Sequence, residues 1–245
     1  MDAEVYLTYS NVSEEDVRNR TVIVIDVLRA CSTINTALSR GARAVMPVAD
    51  MAEAGKIAAN LDPDVYRLGG ERDGTKIDGY HLGNSPTEYT ADVVEKRDII
   101  LNTTNGTRAL AQATSAEHLV AACFLNARRV VDFVQEVTDE VTIVCAGDEN
   151  RLALEDTLCA GLLLDRLWEQ EEPDVVTDSA HTAYTLYDTD RATLEASLRR
   201  ANHAEELVDQ GYADDLDYCF QIDTLSVLPY YTENRLLRYD DQPAP

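Results

Sequence analysis

The sequence predicts an α/β protein in which layers of helices cover both faces of a largely parallel or mixed sheet. Short apolar runs such as TVIVIDV at Thr21–Val27 and VTIVCA at Val141–Ala146 contain almost no alternation of polar and apolar residues. Such runs are typical of strands that are buried on both faces. Amphipathic segments separate the runs, and this alternation of strand and helix patterns favours a parallel sheet.

Six runs are predicted to be strands and six intervening segments to be helices. The predicted strands are Thr21–Val27, Ala44–Val48, Val65–Leu68, Asp98–Asn102, Leu119–Cys123 and Val141–Ala146. The predicted helices are Ser32–Arg40, Met51–Leu61, Pro86–Glu95, Thr107–Ala113, Asn126–Glu136 and Leu154–Gln170. The third helix has a cap residue, Ser85, a proline in the first helical position and a glutamate at position 88. Residues Pro173–Gly211 are predicted to be helical throughout, and Ser226–Tyr239 to add one strand.

A length of 245 residues suits one large domain or two lobes with the site in the cleft between them. No proline- or serine-rich linker divides the chain. A weak seam near Glu95–Asp98 defines candidate lobes 1–95 and 96–245 within a single unit, 1–245.

The formal net charge of −24 excludes two classes of partner, because such a chain repels nucleic acid and anionic membranes. Three lysines, Lys56, Lys76 and Lys96, stand against eighteen arginines, and this balance suggests adaptation to high salt. An anionic ligand therefore requires locally concentrated arginines and a metal ion that screens the carboxylates.

Compartment is indicated by the cysteines and the N-terminus. The five cysteines are scattered singly with no CxxC pair, so we expect reduced thiols that serve as small core residues. No run approaches the roughly 20 apolar residues of a membrane span. The acidic start, MDAEVYLTYSNVSEED, lacks the layout of a signal peptide, and we expect a cytoplasmic protein.

The loops that follow the predicted strands are the candidate ligand sites, because ligands of such sheets bind beyond the carboxyl ends of strands. The loop from Gly69 to Pro86 holds five of the eleven glycines. Its amides suit an anion, although it lacks the Gly-Lys-Ser/Thr core of a nucleotide P-loop. Candidate site residues in it are Glu71, Arg72, Asn84 and Ser85. The alternative is a long flexible loop. His81 in this loop is interpreted as a solvent-exposed histidine, and an accessory proton donor is the other possibility for it.

A second candidate loop is NTTNGT, which lies between a predicted strand and a predicted helix. Its free backbone N–H groups and polar side chains suit a phosphate or sulfonate, and the guanidinium group of Arg108 adds parallel N–H donors. The candidate ligand-binding residues are Thr103, Thr104, Asn105, Gly106 and Thr107. The alternative is that Asn105 or Thr107 only caps the helix.

Carboxylates follow two of the apolar strands. Asp26 comes directly after VIVI, where an acid is costly unless it is paired or binds a metal, and an ion pair with Arg29 is the simpler alternative. A nucleophilic aspartate of the haloacid-dehalogenase type would need a second aspartate two residues further on. Leu28 stands at that position, so this mechanism is excluded for Asp26. Glu155 and Asp156 offer hard oxygen ligands for Mg²⁺, or act as helix-start acids that complement the dipole. Cys123 and Arg129 have the spacing of a cysteine-dependent phosphatase loop, but the residues between them lack the glycines that such a loop needs. The sequence therefore disfavours that class of phosphatase.

Taken in order, the loops resemble one family. VIVIDVLRACST, GGERDG…GYHLGNSPTEY, LNTTNGTRAL, FLNA and CAGDENRLALED, followed by GYADDLDYCFQIDTLSVLP, resemble the 2-phosphosulfolactate phosphatase family from about residue 5 to residue 230. GNSP and TTNGT together are quite specific. Cys31 and the stretch Asp148–Asn150 depart from the usual family pattern.

The resemblance implies an α/β fold, dependence on Mg²⁺ and hydrolysis of 2-phosphosulfolactate to sulfolactate and phosphate. Under this hypothesis Mg²⁺ is held by Asp26, Glu71 and Glu155 or Asp156, and the anionic substrate is bound by Arg29, Arg72 and Arg108. Asn84, Ser85 and Asn126 are secondary contacts. A homodimer is compatible with the sequence, and coenzyme M synthesis is one of the pathways in which the family serves.

Two alternatives remain. One is a phosphatase for another phosphorylated 2-hydroxy acid, such as phospholactate or phosphoglycerate. The other is a non-catalytic protein that binds sulfonate or phosphate. The carboxylates beside the arginines favour an enzyme, because a pure anion binder has little use for them.

Overall fold

The computed structural model describes residues 1–169, 173 and 175–241. Ten strands form one mixed sheet in the order β1-β8-β2-β7-β9-β10-β3-β6-β4-β5. The strands are β1 (Asp2–Tyr6), β2 (Thr21–Ile25), β3 (Ala44–Pro47), β4 (Tyr66–Arg72), β5 (Thr75–Lys76), β6 (Asp98–Asn102), β7 (His118–Ala122), β8 (Glu140–Cys145), β9 (Pro229–Thr232) and β10 (Arg235–Arg238).

Helices cover both faces of the sheet. They are α1 (Glu14–Val17), α2 (Ala30–Ser39), α3 (Met51–Ala58), α4 (Ala91–Val94), α5 (Gly106–Gln112), α6 (Ala127–Val137), α7 (Leu154–Leu167), α8 (Asp178–Asp190), α9 (Leu194–Leu198), α10 (Asn202–Asp209) and α11 (Ala213–Cys219). Short 3-10 turns include Pro86–Glu88, Phe124–Asn126 and Arg191–Thr193. The predicted layered α/β/α class is confirmed.

Two groups of parallel strands make up most of the sheet. Strands β1, β8, β2 and β7 form one group, and β3, β6 and β4 form the other. Between the groups lie three antiparallel pairings: β7 with β9, β9 with β10, and β10 with β3. The two groups therefore run in opposite senses along the sheet. The loops at the carboxyl ends of both groups nevertheless meet, since Gly106 at the start of α5 contacts Asp26 after β2.

Strand β2 shows why the layers form. All five of its residues are buried, and alternate side chains point to opposite faces. Ile23 and Ile25 enter a core with residues of α6, α7 and α8, whereas Val22 and Val24 enter a second core with residues of α2 and α5. A continuous run of β-branched residues thus packs against helices on both sides.

The structure corrects several predicted boundaries. Pro86–Glu95 is no single helix, because the chain breaks at Tyr89, whose buried ring sends its hydroxyl to the Gly83 carbonyl oxygen at 2.7 Å. The predicted helix over Pro173–Gly211 is divided into α8, α9 and α10, and Asp174 lies outside the described residues. Gln170, the predicted end of α7, also lies outside them. The tail forms a hairpin of two strands rather than one strand.

Three further observations bear on the predictions. The sheet is continuous across Glu95–Asp98, because β6 begins at Asp98 and pairs with β3 and β4; the division into two lobes stays a prediction. All five cysteines are free and buried, as predicted. In the part of the chain that the structure describes, the helices are too short or too polar to cross a membrane.

Candidate active site

A polar cavity of about 190 Å³ lies where the loops after β2, β6 and β8 meet the β4–β5 hairpin and α10. A second chamber of about 290 Å³ adjoins it and shares four lining residues with it. The residues that line the first cavity come from six parts of the chain. They are Asp26, Leu28 and Arg29 after β2; Glu71, Asp73 and Gly74 in the hairpin; Asn84 between β5 and β6; Thr103, Thr104 and Asn105 after β6; Asp148 and Glu149 after β8; and His203, Glu206 and Gln210 in and after α10.

Asp26 is a buried carboxylate with one uncommitted oxygen. Its Oδ1 accepts the backbone amide of Ala30 at 3.0 Å, while its Oδ2 has no hydrogen-bond partner among the described residues. Burial raises the pKa of Asp26 to about 6; nearby His203 opposes this shift, whereas the charges of Glu71 and Glu155 add to it. The environment therefore disfavours the charged form of Asp26, and a cation beside Oδ2 would favour it.

Gly106 lets the start of α5 approach this carboxylate. A Cβ atom at this position would contact Asp26 Oδ2 and the Ala30 side chain, both too closely. The glycine in TTNGT is therefore required by the packing of α5 against the loop after β2.

We expect Gly106→Ala to displace the Asp26 carboxylate or α5 and to destabilise the protein by about 1–3 kcal/mol, the usual cost of overpacking. Gly55→Ala in α3 is the matched control, because nothing lies within 4 Å of its added methyl group. The control should be as stable as the wild type or more stable, since alanine favours helix. The free energy of unfolding of both variants is measured by urea unfolding. Equal stabilities of Gly106→Ala and Gly55→Ala would contradict the close approach of α5 to Asp26 and Ala30.

Glu71 joins the β4–β5 hairpin to the loop after β6. Its Oε1 accepts the Thr104 amide at 2.6 Å, and its Oε2 accepts the Thr104 hydroxyl at 3.0 Å and the Gly74 amide at 2.9 Å. Gly74 has φ of +77°, a conformation that glycine adopts without strain. Three of the roughly four acceptor positions of this carboxylate are thus used within the protein.

Arg29 pairs with a distant aspartate and not with Asp26. Its Nη1 donates to Asp215 Oδ2 at 2.7 Å, and its Nη2 donates to the Gly74 carbonyl oxygen at 3.0 Å. The guanidinium carbon lies 4.2 Å from the centre of the Tyr212 ring. Ser85 Oγ donates to the other oxygen of Asp215 at 2.6 Å. The simpler alternative of an Asp26–Arg29 ion pair is therefore wrong.

The adjacent acids of α7 occupy different surroundings, as expected for neighbouring helical positions. Asp156 accepts the buried amides of Val27 at 2.8 Å and Gly147 at 3.0 Å, and so ties together the loops after β2 and β8. Burial, with the charges of Asp26 and Glu155, holds its pKa well above the usual range. Glu155 lines the second chamber instead.

His203 on α10 lies 3.4 Å from Glu155, measured from Nδ1 to Oε1, and lines both chambers. Burial lowers the pKa of His203, but the hydrogen bond and charge of Glu155, together with Asp26 and Asp148, outweigh it and raise the pKa to about 9. The imidazole is therefore protonated at neutral pH and brings a positive charge to a cavity rich in acids.

The structure brings together seven of the predicted residues, which line the first cavity: Asp26, Arg29, Glu71, Asn84, Thr103, Thr104 and Asn105. Glu155 and seven other predicted residues do not line this cavity. Ser85 donates a hydrogen bond to Asp215, Asp156 accepts hydrogen bonds from two backbone amides, and Gly106 packs against Asp26. Thr107 exchanges hydrogen bonds with Thr103, and the Asn126 side chain bonds to backbone groups of Cys123, Ala121 and Val227. Arg72 approaches Asn102 Oδ1 at 3.4 Å, and Arg108 is exposed on α5.

His81 is also exposed and lies outside the cavity lining. Its Nδ1 accepts the Leu68 amide at 2.9 Å. Burial of the ring and the charges of Arg67 and Lys76 lower its pKa. This placement agrees with the interpretation of a loop histidine.

Several site residues were missed from the sequence. His203, Glu206 and Gln210 come from a helical region that carries no metal-ligand spacing. Asp215 lies within the segment GYADDLDYCF. Its acidic pair with Asp214 is the one sequence feature there that could have indicated a site residue. Asp148 and Glu149 stand in the loop noted as a departure from the family pattern.

The residues fit an Mg²⁺ ion held by few protein ligands. Among residues 1–169, 173 and 175–241, no group of three or more His, Cys, Asp or Glu side chains is arranged as a metal cage. Mg²⁺ commonly binds one or two carboxylates and takes its remaining ligands from water and substrate phosphate. Asp26, with its uncommitted oxygen, and Glu71 are the predicted ligands that line the cavity. Glu155 and Asp156 are not part of that lining.

The fold and the cavity define a layered α/β protein with a site for a small charged ligand at strand ends. The sequence model of the 2-phosphosulpholactate phosphatase family matches residues 6–234. The chain therefore belongs to the 2-phosphosulpholactate phosphatase family, whose name places it among the phosphoric monoester hydrolases.

Relatives from several bacteria carry the name probable 2-phosphosulfolactate phosphatase. The protein of Caldanaerobacter subterraneus subsp. tengcongensis is 36% identical over 94% of this chain and 95% of its own length. Those of Symbiobacterium thermophilum and Pseudothermotoga lettingae are 39% and 42% identical, over 91% and 88% of this chain and 96% and 91% of their own lengths.

Proposed function

We propose that this protein is an Mg²⁺-dependent phosphatase that hydrolyses 2-phosphosulfolactate to 3-sulfolactate and inorganic phosphate. One observation carries the proposal: an uncommitted oxygen of a buried aspartate, Asp26, lies in the same cavity as an arginine fixed in place, Arg29. A carboxylate can hold a cation against phosphoryl oxygens, and a fixed guanidinium can bind a carboxylate or sulfonate.

Cationic and amide groups of the cavity would bind the rest of the substrate. Asn84 is 5% exposed and lines the cavity, where its Nδ2 group can donate to an anionic oxygen of the ligand. Its Oδ1, which has no hydrogen-bond partner in the described part of the chain, can accept only from a donor such as a water molecule. Protonated His203 adds a positive charge that attracts an anion. These groups act together to orient the ester for attack.

The reaction adds water across one phosphorus–oxygen bond. The oxygen of water bonds to phosphorus, the bond from phosphorus to the oxygen on carbon 2 breaks, and that oxygen leaves with a proton as the hydroxyl of 3-sulfolactate. Mg²⁺, when bound, would neutralise charge on the phosphoryl oxygens. Asp26 and Glu71 are the residues that would hold it, and Arg29 with Asn84 would keep the non-reacting anionic groups in place.

The test is phosphate release from 2-phosphosulfolactate with Mg²⁺ and with EDTA. We expect release with Mg²⁺ and its loss in EDTA, with recovery when Mg²⁺ is returned. Release that persists undiminished in EDTA would contradict the role of the metal. Tight binding of the ester without release would instead favour a non-catalytic anion binder.

A panel of phosphoesters tests the substrate. Phospholactate and phosphoglycerate lack the sulfonate, so their kcat/KM values should be lower by about tenfold or more, the effect of losing a charge-assisted contact of roughly 1.5–3 kcal/mol. A higher kcat/KM for either ester would identify a phosphatase for another phosphorylated 2-hydroxy acid.

A further inference from the structure

The Arg29 side chain is held from three sides by parts of the chain that are far apart in sequence. Asp215 of α11 binds Nη1, the Gly74 carbonyl of the β4–β5 hairpin binds Nη2, and the Tyr212 ring lies against the guanidinium face. Arg29 and Asp215 are each 2% exposed at the side chain. A buried pair in such contact has one stable arrangement, because rotation of either group leaves a buried charge without a partner.

Asp215 is itself fixed by a second contact. Its Oδ1 accepts the Ser85 hydroxyl at 2.6 Å, so its two oxygens face different donors. Ser85 was predicted to bind the ligand, but it lies outside the first cavity and points its hydroxyl to Asp215. A chain of contacts therefore runs from Ser85 through Asp215 to Arg29, and only Arg29 of the three lines the cavity.

We propose that Asp215 is a positioning residue, which holds the Arg29 guanidinium in the direction that binds a non-reacting anionic group of the substrate. A guanidinium has five N–H donors, and the two contacts above leave donors for a ligand. Contact with a group that does not react has the same strength in the ground state and the transition state, so its loss raises KM and leaves kcat nearly unchanged. This role rests on the proposed function.

The experiment compares Asp215→Asn with Asp217→Asn. Asp217 lies on the same helix, is exposed and pairs with Arg199 at the surface, so its variant should match the wild type. Asp215→Asn should raise KM for 2-phosphosulfolactate about 10- to 100-fold and change kcat less than about threefold. The dissociation constant of 3-sulfolactate, measured by calorimetry, should rise by the same factor as KM.

A double-mutant cycle separates positioning from a merely structural role. Arg29→Ala and the Arg29→Ala, Asp215→Asn double variant should have the same KM, because Asp215 acts only through Arg29. A further rise of KM in the double variant, or a fall of kcat in Asp215→Asn that exceeds the rise of KM, would overturn the inference. Ser85→Ala removes the donor to Asp215 together with a 2.7 Å contact to the Thr87 hydroxyl, and it leaves the Asp215 charge in place. This variant should raise KM severalfold and covers the case in which Asp215→Asn does not fold.

The two proposals fail in different ways. A wild-type protein that releases no phosphate from 2-phosphosulfolactate contradicts the proposed function. Binding of 3-sulfolactate still tests the positioning role in that case. Equal affinity of the wild type and Asp215→Asn for 3-sulfolactate, or no binding to either, overturns it.

Discussion

Asp26→Asn is expected to lower kcat for phosphate release by about 10²- to 10⁴-fold, which corresponds to losing the several kcal/mol that a metal ion contributes by neutralising charge in the transition state. Asparagine has nearly the same shape, and its Oδ1 can still accept the Ala30 amide. The substitution therefore removes the negative charge at the uncommitted oxygen while leaving the loop after β2 in place. Phosphate release at saturating Mg²⁺ measures the effect.

The same substitution is expected to make the protein more stable. The pKa of Asp26 is raised to about 6 by burial and by Glu71 and Glu155, which means that the folded state disfavours the charged carboxylate. A group whose folded pKa is raised loses its contribution to stability as the pH rises through that value. At pH 8 the neutral amide should therefore increase the free energy of unfolding, on the order of 1–3 kcal/mol.

Urea unfolding in EDTA measures that gain without a contribution from bound metal. Asp132→Asn, an exposed aspartate of α6, is the control and should change stability by no more than about 0.5 kcal/mol. A destabilised Asp26→Asn protein would contradict the interpretation that the folded state disfavours the charged Asp26 carboxylate.

His203→Gln is expected to remove a pH dependence of stability. The pKa of His203 in the folded protein is about 9, because Glu155 outweighs the effect of burial, whereas the unfolded value is near 6.5. Stability from this group is present in full below about pH 6.5 and is lost as the pH rises through 9. The difference corresponds to about 3 kcal/mol at most.

The free energy of unfolding of the wild type and His203→Gln, measured from pH 6 to pH 10, checks this prediction. The variant should be less stable at pH 6, and the two curves should approach each other above pH 9. His181→Gln, an exposed histidine of α8, is the control and should run parallel to the wild type. A His203→Gln curve that is also parallel to the wild type would show that Glu155 does not stabilise the imidazolium.

The strands were predictable where both faces are buried. The runs of β2, β6 and β8 are apolar without interruption because helices pack on both sides, and their boundaries were found to within about two residues. Strand β1 was not predicted, because it lies at the edge of the sheet and only alternate residues, Ala3 and Val5, are buried.

The C-terminal hairpin shows what local patterns do not reveal. Its turn residues, Glu233 and Asn234, both have positive φ, at 49° and 63°. Two-residue turns of this kind are usually signalled by Asn-Gly or Asp-Gly. Glutamate in the first position carries no such signal, so the tail was predicted as one strand.

The site was predictable where it is built from loops that directly follow strands. Asp26 and Thr103–Asn105 are such residues, since polar side chains after an apolar strand stand out. Glu71 was found in the same way, although β4 continues past the predicted strand end at Leu68 and includes it. His203 and Asp215 come from C-terminal helices that return across the site, and only tertiary packing brings them there. Arg29 illustrates the limit: its nearest acid in sequence is Asp26, yet its partner is 186 positions away.

The most direct test of the site is the rate of phosphate release from 2-phosphosulfolactate by the wild type and Asp26→Asn, side by side at saturating Mg²⁺. We expect the wild type to turn over, and the folded, more stable variant to be slower by at least a hundredfold. A variant that keeps more than about a hundredth of the wild-type kcat would show that the reaction does not depend on the Asp26 carboxylate.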